Sequence, residues 1–175
     1  MSALETILTR RSIRSYTDQS ISDDQIEQLL KAAMSAPTAR NTQSWQFVVI
    51  KDRNKLNSIP EFHPFAEMMK QASCAIAVCA DLKKEPDINY ANTNCSAAAE
   101  NILLAAHAMG LGAVWLGVFP REKRVQGMKR LLDLPDFIVP IALISLGYPA
   151  EEKKQSNRYD KDKIHFDTWQ GKEKN

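Results

Sequence analysis

Ala36-Pro-Thr-Ala-Arg-Asn-Thr-Gln-Ser-Trp45 is a polar run between an amphipathic helix and an apolar strand, and its reading decides the fold. Pro37 stops the preceding helix, while Thr38, Asn41 and Ser44 bring hydroxyl and amide groups to a change of chain direction. Upstream, Ser22-Asp-Asp-Gln25 is a capping box, and Ile26, Leu29, Leu30 and Ala33 form an i, i+3, i+4, i+7 stripe. Downstream, Trp45 to Ile50 is an apolar run that predicts a mostly buried strand. Taken alone the run is a helix-to-strand connector, although loops held in this way also carry binding groups.

A second feature precedes it. Ser2-Ala-Leu-Glu5 is another capping box, opening a short helix with Leu4, Ile7 and Leu8 on one face and ending near Arg10. Arg10-Arg-Ser-Ile-Arg14 follows. Cations in a last helical turn offset the macrodipole, which accounts for Arg10 and Arg11. Three arginines within five residues exceed that need, and their planar forks, with the Ser12 hydroxyl, suit a phosphate. Both readings stand on the residues alone.

Further along, residues 54 to 73 read as broken helix or a mobile cover, interrupted at Pro60 and Pro64, with Met68 and Met69 as packing residues. Cys74 to Ala80 is a strand for a sheet interior, and 81 to 87 a polar connector. Asn94 to Met109 is a long helix apolar around most of its circumference, suited to a domain interior or a subunit interface, with Gly110 as its cap. Leu111 to Gly117 is a strand whose glycines mark a bulge, a bend or a ligand's close approach. Arg121 to Leu132 is a helix with Val125, Met128, Leu131 and Leu132 inward. Phe137 to Leu146 is a strand that Pro140 makes irregular or places at an edge. Glu151 to Asn175 is charged, with Ile164, Phe166 and Trp169 as anchors that a disordered tail lacks.

The chain of 175 residues suits one domain, and its net charge of +2 points to neither nucleic acid nor a membrane surface. No run is long enough to span a bilayer, and the start does not read as a signal peptide, so the expected location is cytoplasmic. Cys74, Cys79 and Cys95 are an odd set without Cys-x-x-Cys spacing, and His63, His107 and His165 are scattered, so no metal site is expected. Gly-x-Gly-x-x-Gly, Walker and Gly-x-Ser-x-Gly motifs are absent.

Four stretches carry a resemblance: Arg10 to Arg14, Ala36 to Trp45, Asn94-Cys-Ser-Ala-Ala-Ala-Glu-Asn101 continuing to Gly117, and Arg158. In order and spacing the chain resembles a small member of the nitroreductase family of flavin enzymes. The resemblance implies an α+β fold over residues 1–175, a mostly antiparallel sheet flanked by helices, in an intertwined homodimer with FMN at the interface. Residues 151–175 are then a C-terminal extension packing on the partner subunit.

Carried over, Arg10, Arg11, Ser12 and Arg14 hold the FMN phosphate, ribityl chain and pyrimidine edge, and Arg158 returns to the phosphate. Pro37, Thr38, Ala39 and Asn41 reach the same flavin from the other subunit, and the turn Trp115, Leu116, Gly117 lies along the isoalloxazine. No side chain is assigned as catalytic, with Arg14 or Arg10 given an electrostatic role beside the ring. The implied activity is NADH- or NADPH-dependent reduction of a small planar electrophile by a ping-pong mechanism. An FMN store or sensor is the alternative. Family members commonly carry Asp where this chain has Asn94, read here as a neutral helix N-cap.

Overall fold

Strands β1 (Trp45–Ile50), β2 (Cys74–Asp81), β3 (Gly112–Gly117) and β4 (Ile138–Gly147) form one antiparallel sheet in the order β1-β2-β4-β3. The computed structural model describes residues 1–170, so 171–175 of the expected extension lie outside the described residues. The arrangement is the expected α+β one. Helices α2 (Asp23–Met34) and α4 (Ile88–Ala108) cover one face, and α3 (Arg53–Ser58) with α5 (Glu122–Leu132) cover the other.

Two-residue alternation sorts the buried side chains between these layers. Ile76 and Val78 of β2 join the α2/α4 core with Leu29, Ile102 and Ile144. Ala77 and Cys79 face the other way, with Leu56, Met69, Met128 and Leu143. A sheet covered on both faces needs continuous apolar central strands, as β2 has. Burial pushes the Cys74 thiol up to about 11 and those of Cys79 and Cys95 to about 12, so all three are protonated packing groups.

Both capping boxes form, Ser2 with Glu5 and Ser22 with Gln25. Helix α1 (Ala3–Thr9) ends one residue earlier than a last-turn role for the arginines requires. Arg10 is its C-cap and Arg11 lies beyond it. The apolar face of α1 is not buried: Leu4, Ile7 and Leu8 are 65%, 56% and 52% exposed.

Other corrections have local causes. β1 is an edge strand and only half-buried, because just β2 pairs with it. β4 is central. Of the two expectations for Pro140 the irregular position holds: the register slips between Val78 and Cys79, leaving Ile141 as the extra residue of a bulge. The Ile141 carbonyl accepts instead from the N–H groups of Val118 and Phe119. Helix α4 starts six residues before Asn94, at Ile88, with the Asp87 side chain accepting from the Asn89 N–H. Its polar first turns hide the apolar period. Gly110, at φ +75°, closes α4 as expected.

Residues 54 to 73 are the expected broken helix, packed down as a fixed cover. Leu56, Ile59, Met68 and Met69 are buried on the α5 side. His63, 1% exposed, fastens this segment to the sheet: its Nε2 lies 3.0 Å from the Gly117 carbonyl and its Nδ1 accepts from the Phe65 N–H at 3.4 Å. Those bonds fix the neutral tautomer, and burial holds the pKa below its ordinary 6.5. The unfolded chain therefore takes up this proton first. Stability that His63 contributes is complete above pH 6.5 and is lost as pH falls through the folded-state value. Urea unfolding at about pH 7.5 and about pH 5.5 should show a larger acid loss in the wild type than in His63→Gln. Equal losses would contradict the neutral assignment.

Candidate functional site

The cationic segment is seated on the outer edge of β3. The Ile13 N–H donates to the Ala113 carbonyl at 2.9 Å, and Ser12 bridges Ala113 in parallel. Gly112 permits the approach, since a Cβ there would lie 2.7 Å from Ile13 Cγ2. Close backbone approach thus explains this glycine, but the approaching group is the chain itself. Tyr16 anchors the next turn, donating to the Ile13 carbonyl at 2.8 Å.

This seat gathers five cations. Arg10, Arg11, Ser12, Arg14, Lys153 and Arg158 line a cavity of about 280 Å³. An adjoining cavity of about 440 Å³ shares Arg10, Arg11 and Arg158. Lys153, which the sequence reading passed over within a charged run, donates to the Ser12 carbonyl at 2.8 Å. Two carboxylates partly offset the cluster: Glu100 lies 3.4 Å from Arg10, and Glu151 lies 3.2 Å from Lys153. Glu151 also accepts the Arg14 N–H, the main cause of its lowered pKa.

One atom of the cluster is unsatisfied. Arg11 donates through Nε to the Lys154 carbonyl and through Nη1 to those of Leu8 and Arg10, while Nη2 is buried without a partner. A buried guanidinium N–H without an acceptor is costly, and a phosphate oxygen would satisfy it. The donor set therefore fits the FMN phosphate.

From this end, β3 runs about 13 Å from Ala113 to Gly117 at 3.3 Å per residue. Trp115, Leu116 and Gly117 lie in the strand and not in a turn. The Ala113 and Gly117 carbonyls both take partners away from β4, so by alternation the Trp115 backbone projects from the same outer edge. The Leu116 side chain is buried in the α5-side core and its backbone faces β4, so Leu116 itself offers nothing to a ligand at the outer edge. A Cβ added at Gly117 would meet nothing within 4 Å, so the backbone there is open to a flat ring.

The loop residues lie elsewhere. Pro37 and Asn41 are exposed, Thr38 and Ala39 half-buried, in a bend leading into β1 at the opposite edge of the sheet. Arg40, Asn41 and Gln43 all have positive φ, 53°, 55° and 47°, a conformation that costs about 1–2 kcal/mol per non-glycine residue. Two buried side chains hold it. Asn94, 2% exposed, accepts the Ala39 N–H at 2.9 Å and donates to Thr42 Oγ1 at 3.2 Å and Ser44 Oγ at 3.1 Å. Glu85, 1% exposed, accepts Arg40 Nη2 at 2.7 Å.

Asn94 is thus no N-cap. It lies in the second turn of α4 and clamps the loop, a role that only the fold reveals. The cationic cluster meets α4 at Glu100 and His107, the latter 2.8 Å from Thr9 Oγ1. Six residues of helix separate Asn94 from Glu100 by about 9 Å and turn the two side chains about 120° apart. The structure therefore brings Arg10, Arg11, Ser12, Arg14 and Arg158 together, and keeps Pro37, Thr38, Ala39 and Asn41 apart from them within one chain. Among the described residues, no group of three or more His, Cys, Asp or Glu side chains is arranged to hold a metal, and no helix is long and apolar enough to cross a membrane.

Asn94→Ala should cost about 1–3 kcal/mol in urea unfolding by stranding the Ala39 N–H. Asn94→Asp should cost less, since the Thr42 and Ser44 hydroxyls can turn to donate. Equal losses would mean that the clamp acts only by packing.

Comparison with known proteins places this geometry. A model of the nitroreductase family matches residues 7–63 and 61–148. A protein of Archaeoglobus fulgidus named "Putative NADH dehydrogenase/NAD(P)H nitroreductase" is 49% identical over 171 residues, covering 95% of this chain and 98% of the relative. A crystal structure under the same name from Parabacteroides distasonis superposes with a TM-score of 0.92 at 41% identity, covering 95% and 98% of the two chains. An FMN-dependent nitroreductase of Clostridium difficile gives 0.88 at 31% identity, covering 94% and 99%. The chain belongs to the nitroreductase family.

Proposed function

We propose that this protein is an FMN-dependent oxidoreductase that uses NADH or NADPH to reduce small planar electrophiles such as nitroaromatics and quinones. The observation that carries the reading is the partnerless, buried Arg11 Nη2 in a five-cation cavity at one end of an open strand edge. Relatives named for NAD(P)H and FMN support it. When bound, FMN would supply the hydride-transfer chemistry between the nicotinamide and the electrophile in a ping-pong reaction.

The chain's own residues bind and orient. Arg10, Arg11, Ser12, Arg14 and Arg158 hold the phosphate, ribityl chain and pyrimidine edge, with Lys153 as a further cation. The Trp115–Gly117 edge is the ledge for the ring. Arg14 or Arg10 supplies positive charge beside it, where preorganised donors stabilise developing negative charge. No side chain needs to act as acid, base or nucleophile.

Pro37, Thr38, Ala39 and Asn41 complete the site from a second copy of the chain. Two features support a homodimer. The exposed Ile7, on the helix that also exposes Leu4 and Leu8, borders an apolar groove of about 440 Å³ lined in part by Ala32, Leu104 and Ala108. Residues 151–170 also run largely exposed, with Tyr159, Phe166 and Trp169 uncovered, as a segment meant for a partner surface would. We take residues 1–175 as one nitroreductase-like domain with this C-terminal extension, in the cytoplasm.

The test is the visible spectrum of the purified protein, followed by anaerobic addition of NADH or NADPH. A flavin spectrum bleached by either nucleotide is expected. A flavin that stays oxidised with both would favour a store or sensor, and no flavin after reconstitution with FMN would overturn the reading. Arg158→Ala should weaken FMN binding about ten- to a hundredfold, the loss of one charge-assisted phosphate contact.

A further inference from the structure

The Gly117 carbonyl, at the far end of β3 from the phosphate cavity, is held from two sides. His63 Nε2 lies at 3.0 Å and Arg124 Nη1 donates at 2.8 Å. These donors come from separate elements, the cover segment and the first turn of α5, and they converge on one backbone atom. The Arg124 guanidinium is oriented further by the Phe65 ring, whose centroid is 5.4 Å away.

Arg124 is badly placed for helix stability. The first turn of α5 carries Lys123 and Arg124 against one acid, Glu122, and its N-cap is Arg121, without a side-chain cap bond. Cations at a helix N-terminus oppose the macrodipole. What holds Arg124 there is the Gly117 carbonyl and the Phe65 ring, which fix a positive charge at the end of β3. The cation cluster around Arg11 lies near Ala113, about 13 Å back along the strand, and serves the other end.

A free strand edge also presents carbonyls as well as N–H groups, and a carbonyl facing the acceptor-rich edge of a flavin ring repels it. Two donors on Gly117 remove that repulsion and fix the ledge, while the missing side chain at Gly117 leaves space above it. We propose that Arg124 and His63 form a carbonyl clamp that positions the flavin-ring ledge, and that Arg124 is a second cation that raises the midpoint potential of the bound flavin. The proposal rests on the FMN reading above. Arg124 is a positioning residue: it acts through the Gly117 backbone and through its field.

The experiment compares the midpoint potential and the FMN dissociation constant of the reconstituted wild type, Arg124→Gln and Arg124→Lys, with Arg124→Met as a second neutral variant should Gln impair folding. Loss of the charge should weaken binding of reduced FMN about tenfold relative to oxidised FMN. For a two-electron couple that is a shift of about 30 mV to more negative potential. The dissociation constant of oxidised FMN should change less than about threefold, and Arg124→Lys should stay near the wild type. An unshifted potential in the neutral variants, or a Lys variant shifted as far as the Gln variant, would overturn the proposal and leave Arg124 a structural strut. A wild type that does not bind FMN would instead sink the functional reading itself.

Discussion

The bond from the Ile13 N–H to the Ala113 carbonyl is the contact on which the site depends. It lays a segment with three arginines along the exposed edge of a strand and converts surface charge into a lined cavity. The sheet order makes this edge available, because β3 pairs only with β4. The glycine opposite Ile13 makes the approach sterically possible. From that seat, the cation-lined cavity, the open edge at Trp115 and the doubly held Gly117 carbonyl follow as distances along one strand.

The same topology keeps the loop after α2 away from the cations within one chain. The loop after α2 enters β1 at the other edge of a four-stranded sheet, about 14 Å away at the usual strand spacing. Its left-handed residues are held by Asn94 and Glu85, both almost fully buried. Maintaining three unfavourable backbone conformations has no evident structural benefit, since a connector of this length can be built without them. Strain kept in place by buried polar groups points to a loop shaped for a ligand. In the proposed homodimer a second copy would bring that loop to the first copy's cations, with the uncovered apolar face of α1 as a surface for the association.

Much of this was legible in the sequence because it rests on local chemistry. Capping boxes, the α2 stripe and the buried β2 run are read from spacing alone. The clustering of Arg10, Arg11 and Arg14 is also local, and those residues line one cavity in the structure. What was missed depends on long-range placement. Nothing adjacent to Lys153 or Glu85 marks one as a wall of that cavity and the other as the buried partner of Arg40. Asn94 was misread because the polar residues from Ile88 to Thr93 concealed two further helical turns. His63 and Arg124 lie some sixty residues apart, and only the packing of the cover and α5 against β3 brings them to one carbonyl.

The central claim is that each flavin site is built from two chains, and subunit complementation tests it most directly. One variant would carry Arg10→Ala and Arg158→Ala, disabling the cation cluster; the other would carry Asn41→Ala and Thr38→Ala, disabling the loop. Each alone should bind little FMN. Unfolded together and refolded as a mixture, they should recover binding, because a mixed dimer holds one intact site and one doubly defective site. The account predicts recovery of about a quarter of wild-type FMN stoichiometry, from half the dimers carrying one site of two. No recovery, with both variants folded and dimerised, would place the whole site within a single chain and contradict it.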